Sequence, residues 1–258
     1  MAHFVSDVKR TWTTRGRASS GLISLEGTRV IERALAAGHV LGNLAVLHGR
    51  DDSDPRVASV VELATASGTP IESLDDDQYS ACCGLRDLGG VVALLRRPAP
   101  APLPEPGDSP LRLLVLADMH DSGNVGALAR TAHAGGTHGL VASGRTDPWH
   151  PRAIRTSMGS MLRFPVHEVA SLRSLREALP GTDLFAAVVS DGEPLHTMNA
   201  PRRWALVMGG EAHGLTDDDV DDCQRQVSIE MPRGVDSYSV NAAAAVLLFG
   251  LSRNALSD

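Results

Sequence analysis

The sequence predicts an α/β protein in two parts, a smaller amino-terminal α/β unit followed by a domain built on a parallel sheet. Three observations predict it. Apolar runs of strand length alternate with segments of helical period, one proline-rich stretch interrupts the chain, and the loops after the later strands are rich in glycine and short polar residues. At 258 residues, 43% hydrophobic and 21% charged, the chain has the composition of an ordinary globular protein.

The first unit is expected over residues 1–97. In "SLEGTRVIERALAAGHVLGNLAVLH", Val30, Ile31 and Leu35 recur at helical spacing, Gly38 stands where the helix should stop, and "LAVLH" reads as a strand. "VASVVELATASGTPIESL" repeats that order, and "GVVALLRR" supplies another buried strand. Residues 98–110, within "RRPAPAPLPEPGDSP", are expected to be a linker, because repeated prolines suit neither helix interior nor sheet ladder.

The second domain is expected over residues 111–258. "LRLLVLAD" is a continuous apolar run, as in a parallel strand buried on both faces. "GNVGALARTAHAGG" follows as a helix bounded by glycines, and "THGLVAS" as a strand. A third strand-helix cycle runs through "MGSMLRFPVHEV" and "SLRSLREAL" to "DLFAAVVS". "RWALVMGG" and "QVSIEM" are further strands, and "SVNAAAAVLLFGLSR" closes the chain as a helix. In such folds the ligand sits beyond the carboxyl ends of the strands.

Charge and composition narrow the function. The net charge of −7 argues against bulk attraction to nucleic acid, yet the opening "KRTWTTRGR" carries Lys9, Arg10, Arg15 and Arg17 with no carboxylate, a local basic arm. The first residues hold no apolar signal core, and no stretch approaches the roughly 18 apolar residues of a membrane span, so a cytoplasmic protein without membrane partners is expected. Cys82, Cys83 and Cys223 form no disulfide framework, and the adjacent Cys82 and Cys83 read as reduced core residues. His120, His133, His138, His150 and His213 form no metal-ligand spacing, so no metal is expected, and no nucleophile elbow occurs.

The strand-end rule selects "ADMHDSGNVGALAR", "MGGEAHGL" and "IEMPRGVDSYSVNAA". The first is not a dinucleotide fingerprint, since Gly123 and Gly126 lack the required spacing, and no phosphate-loop lysine follows. Taken alone, Asn124 reads as a helix cap and Arg130 as a surface residue. In "MGGEAHGL" the glycines and Glu211 are open to three readings: a turn, an acid/base or metal site, or a loop pressed against a ligand.

Taken together and in order, these loops resemble the SpoU/TrmH family of SPOUT RNA methyltransferases. "NVGALART" is similar to the family's first motif, "VMGGEAHGL" to its second and "IEMPRGVDSYSVNAAAAV" to its third, while "PRAIRTSMGSMLRFPV" resembles its arginine-serine-glycine segment. "GRASSGLISLEGTRVIERAL" is similar to the family's ribosomal-protein-like substrate-binding domain. The resemblance implies a trefoil-knotted carboxy-terminal domain, an exception to the rule against threaded chains. It also implies S-adenosylmethionine as donor, the 2′-hydroxyl of a ribose in ribosomal or transfer RNA as acceptor, and a homodimer.

Carried over by position, Gly209, Gly210, Glu211, Ile229, Met231, Tyr238 and Ser239 would hold the donor. Arg130, Asn124, Ser237 and Ser239 would serve catalysis, and Arg15, Arg17 and Arg155 the RNA. Glu211 is expected to hold its loop by accepting hydrogen bonds. The third motif departs from the pattern: Glu230 stands in place of proline, Tyr238 in place of leucine, and asparagine is displaced by two to Asn241, with Ser239 where it should stand. Rival readings are a non-catalytic donor- or RNA-binding homologue and a small-molecule methyltransferase.

Overall fold

The computed structural model describes residues 2–83, 89–211 and 213–254. The chain divides into two compact units, Met1–Ala99 with Trp149–Arg163, and Pro100–Pro148 with Phe164–Asp258.

In the first unit α1 (Ala2–Thr11) and α2 (Thr14–Ser20) precede β1 (Leu22–Glu26), α3 (Thr28–Ala36), β2 (Leu41–Leu47), α4 (Arg50–Ser53), α5 (Pro55–Ala66), β3 (Ile71–Leu74), α6 (Asp76–Cys83) and β4 (Val91–Arg96). The sheet order is β1-β4-β2-β3, with β4 antiparallel to β1 and β2, and β3 parallel to β2. Helix α3 buries Val30 and Ile31 and ends before Gly38, whose φ of 81° is left-handed. Pro55 opens α5 behind the Asp54 cap, which accepts from the Arg56 amide. The opening segment, expected as a basic arm, is helical instead. Phe4 and Val8, one turn apart, bury against Tyr79, Cys82 and Cys83. Burial pushes the thiols of Cys82 and Cys83 up to about 11 and about 12, so both stay protonated.

The second unit begins with β5 (Leu111–Ala117), α7 (Ser122–Ala134) and β6 (Gly139–Ser143). Residues 149–163, with α8 (Pro151–Thr156), then join the first unit. There Arg155 pairs with Glu26 at 2.5 Å; the Glu26 side chain is 0% exposed and that of Arg155 17%. Arg33 donates to the Met158 carbonyl, and the His39 ring lies 2.7 Å from the Leu162 carbonyl. Removing one partner of a buried ion pair strands the other charge, so Arg155→Ala is expected to cost about 3–5 kcal/mol of stability. Denaturant unfolding measures this, and a loss within about 0.5 kcal/mol, as at a neutral surface site, would show the pair is dispensable.

The chain returns to the second unit with β7 (Val166–Val169), α9 (Leu172–Ala178), β8 (Asp183–Ala187), β9 (Glu193–Pro194), β10 (Arg203–Met208), α10 (Asp217–Asp221), β11 (Arg225–Ser228) and α11 (Val240–Asn254). The seven strands lie in the order β7-β6-β5-β10-β8-β11-β9, and every neighbouring pair is parallel. The sheet therefore grows outward from β5 to β7, restarts at β8, and receives β10 between β5 and β8. All six residues of β10 are buried, which accounts for the unbroken apolar run "WALVM".

The proline-rich segment is tied to this sheet from Pro100 on. The Ala101 amide donates to the Val166 carbonyl at 2.8 Å, and buried Arg203 donates to the Ser109 carbonyl at 2.9 Å. His167 Nδ1 donates to the Ala101 carbonyl at 3.1 Å, while its Nε2 has no partner among the described residues. Burial lowers the His167 pKa from 6.5, opposed by its backbone hydrogen bonds. The ring is then neutral in the fold, whereas the unfolded chain takes the proton first. Its contribution is complete above the unfolded value and is lost as pH falls below it. The thermal midpoint of the protein is expected to drop between about pH 7 and about pH 5 more steeply than that of His167→Asn; parallel profiles would refute this.

Candidate functional site

Strands β8, β10 and β11 are parallel, so Ala187, Met208 and Ser228 end on the same edge of the sheet. A cavity of about 380 Å³ opens there. Its walls are Ala187 to Val189 after β8, Met208 to Glu211 with Gly214 after β10, Ile229 and Met231 after β11, and Ser237 to Val240, Ala243 and Leu247 at the head of α11. The volume lies in the range of small-molecule sites, roughly 300–1,000 Å³, and the lining is mainly apolar with a few polar groups. All seven positions expected to hold the donor line this cavity, as does Ser237.

The glycine loop is built by close approach. The Gly214 amide donates to the Gly210 carbonyl at 2.9 Å, and the two residues form an antiparallel bridge. A Cβ on Gly209 would stand 2.2 Å from the carbonyl carbon and oxygen of Gly214 and 2.5 Å from the Leu215 amide nitrogen. Only glycine fits there. A Cβ on Gly210 would meet nothing within 4 Å. Glu211 corrects the expectation. It is exposed at the cavity, and among the described residues no hydrogen bond reaches its carboxylate, so the glycine bridge holds the loop.

The third loop ends in a helix cap. The Ser239 hydroxyl accepts from the Ala242 amide at 3.4 Å, and the Ser239 carbonyl accepts from the Ala243 amide at 2.9 Å. Tyr238 is 45% exposed at the cavity rim. Glu230 is not among the cavity-lining residues, and its carboxylate lies 2.9 Å from His196 Nδ1, both side chains largely exposed.

On the first loop Asp121, not Asn124, caps α7, accepting from the Asn124 amide at 2.7 Å. Asn124 is half-buried in the first turn, and Arg130 is exposed two turns on. Neither lines the cavity, and among the described residues no group pairs with the Arg130 guanidinium. The three arginines expected to meet RNA differ. Arg15 is exposed, but Arg17 is 3% exposed and donates to the Thr11 carbonyl and, at 3.2 Å, to Thr14 Oγ1. Arg17 and the Glu26-bound Arg155 are thus occupied inside their unit, and this corrects their expected substrate contacts. Asn241, which is absent from the expected set, is engaged: its Oδ1 accepts from Thr131 Oγ1 on α7 at 2.8 Å. Its displacement within the third motif was the available signal.

Among the described residues no group of three His, Cys, Asp or Glu is placed to hold a metal, and no helix is long and apolar enough to cross a membrane.

An all-parallel sheet with a late strand inserted beside the first, and a glycine-lined cavity between that strand's end and the last helix, defines a methyltransferase domain of the SPOUT class, whose carboxy-terminal domain is knotted. The chain belongs to the SpoU rRNA Methylase family, whose profile matches residues 112–249. It is similar to the 23S rRNA (guanosine(2553)-2′-O)-methyltransferase RlmP of Bacillus subtilis, at 24% identity over 96% of this chain and 95% of that one. A crystal structure of an RNA 2′-O ribose methyltransferase matches with a TM-score of 0.79 at 27% identity, covering 98% of this chain and 96% of the other. The AdoMet-bound rRNA methyltransferase from Sinorhizobium meliloti has the same fold, with a TM-score of 0.82 at 23% identity over 98% and 95% of the two chains.

Proposed function

We propose that the protein transfers a methyl group from S-adenosylmethionine to a ribose 2′-hydroxyl of ribosomal or transfer RNA in the cytoplasm. The observation that carries this reading is the convergence of the second and third motifs on one cavity, within a chain of the SpoU family. The names of its relatives, RNA 2′-O-methyltransferases, support the substrate class, and the AdoMet-bound neighbour supports the donor.

The cavity suits that donor. Apolar Val188, Val189, Ile229 and Leu247 offer flat contact for a purine, Gly210 leaves its side open, and Ser237 and Ser239 offer hydroxyls to polar groups. When bound, the donor supplies an electrophilic methyl on a sulfonium centre. The chain must bring the ribose oxygen in line and stabilise it as its proton leaves for solvent. Arg130 fits that task by charge. A guanidinium stays protonated, so it binds the neighbouring phosphate and steadies the developing alkoxide instead of accepting the proton. Asn124, on the same helix, orients the ribose. Exposed Arg15 adds a phosphate contact in the first unit, which serves as the substrate-binding module.

The active species is a homodimer. Val246 is 40% and Phe249 65% exposed three residues apart on α11, an apolar face that a second subunit would cover. Light scattering is expected to give the dimer mass for the wild type and the monomer mass for Phe249→Glu; a monomeric wild type would refute the assembly.

Mapping ribose methylation in RNA from cells with and without this protein tests the function. One or more 2′-O-methyl positions should disappear with it, and an unchanged methylation map would exclude the reading.

A further inference from the structure

We propose that Asn241 is a positioning residue that couples the donor cavity to Arg130 through Thr131. The inference rests on the methyl-transfer reading above. It starts from the exchange inside "SYSVN", where serine and asparagine stand in each other's expected places.

Ser239 opens α11 as its cap, which leaves Asn241 in the first turn of that helix. From there its Oδ1 crosses to α7 and accepts from Thr131 Oγ1 at 2.8 Å, joining residues 110 positions apart. A helical threonine hydroxyl ordinarily bonds back to a carbonyl of its own helix. Here the hydroxyl is directed across the interface. The direction of the bond is fixed by chemistry, since the carbonyl oxygen of an amide only accepts.

Both ends of this bond adjoin the site. The same first turn of α11 supplies Ser239, Val240 and Ala243 to the cavity wall. On α7, Thr131 is the neighbour of Arg130 and lies seven residues from Asn124, on the same helical face. Further along, Leu248 of α11 comes within 3.8 Å of where a Gly135 side chain would begin, so the two helices also pack beyond the polar bond. Neither Thr131 nor Asn241 lines the cavity. Asn241 therefore acts through α7: when the donor fills the cavity and settles the head of α11, the bond fixes the rotation of α7 and with it the reach of Arg130.

The test uses the full chain and four variants. Asn241→Leu and Thr131→Val each remove the bond and are expected to lower kcat about tenfold, the effect of one neutral hydrogen bond, with donor Kd unchanged. Their combination should be no worse than either alone. Asn241→Asp should keep kcat within about twofold, because a carboxylate accepts from the same hydroxyl and suits the amino end of α11. A second readout needs no turnover. Donor binding should slow hydrogen exchange at amides 125–134 in the wild type and in Asn241→Asp, but not in Asn241→Leu or Thr131→Val.

Wild-type kcat and donor-induced protection in Asn241→Leu or Thr131→Val would overturn the inference, as would losses that multiply in the double variant. If the wild type binds donor yet labels no RNA, the functional reading fails while the exchange measurement still decides the coupling. A wild type that binds no donor overturns both.

Discussion

Arg130→Ala is expected to lower kcat for RNA methylation by about 10²–10³-fold while leaving the affinity for S-adenosylmethionine unchanged. That magnitude is what loss of one preorganised charge stabiliser costs when charge develops in the transition state. The separation of the two effects follows from position. Arg130 is exposed on α7 and contributes nothing to the cavity lining, so its removal disturbs neither the walls nor a buried partner. Stability should shift by less than about 0.5 kcal/mol, as at other surface sites. Single-turnover rates with saturating donor, together with calorimetric donor titration, measure both quantities. Wild-type turnover in the variant would remove Arg130 from the mechanism, and a parallel loss of donor affinity would place it in the cavity instead.

Gly209→Ala and Gly210→Ala should behave in opposite ways although the residues are adjacent. At Gly209 the added methyl carbon would overlap the Gly214 carbonyl at 2.2 Å, and the obstacle is backbone held by the Gly210–Gly214 bridge. Overpacking of this kind costs about 1–3 kcal/mol or more. The loop must open, so Gly209→Ala is expected to lose both stability and donor binding. At Gly210 the methyl carbon meets no atom within 4 Å, and the residue lines the cavity. That variant should unfold at the wild-type temperature while binding the donor more weakly. Thermal unfolding with and without donor distinguishes the two, and a Gly209→Ala protein that gains wild-type stabilisation from donor would contradict the proposed loop geometry.

Much of this arrangement was legible in the sequence because the signals are local. β10 is buried throughout and β5 at every position but Arg112, and both read as apolar runs; α3 buries Val30 and Ile31 as its spacing predicts, with Ala34 completing the inner face in place of half-buried Leu35. The cavity at the strand ends was legible because glycines and short polar residues cluster where three strands end. What escaped depends on distant partners. Nothing within "RWALVM" states that β10 enters between β5 and β8. Arg155 reads as an RNA contact until Glu26, 129 positions away, is seen beside it. Arg17 misleads in the same way, since arginines are seldom buried without a partner and its acceptors include a backbone carbonyl invisible in sequence. Helix α1 was hidden because Phe4 and Val8 give only one turn of periodicity among charged neighbours. Glu211 was expected to brace its loop, but the Gly210–Gly214 bridge does so through backbone alone. The Ser239 and Asn241 exchange looked like drift in a motif, whereas each residue has a defined partner.

The most direct test of ribose methylation is chemical. Purified protein is incubated with methyl-labelled S-adenosylmethionine and RNA from cells lacking the protein, and the RNA is digested to nucleosides for mass spectrometry. The expected result is label confined to a 2′-O-methyl nucleoside in ribosomal or transfer RNA and absent with Arg130→Ala. Label on a base, or no label in any RNA despite donor binding, would contradict the account.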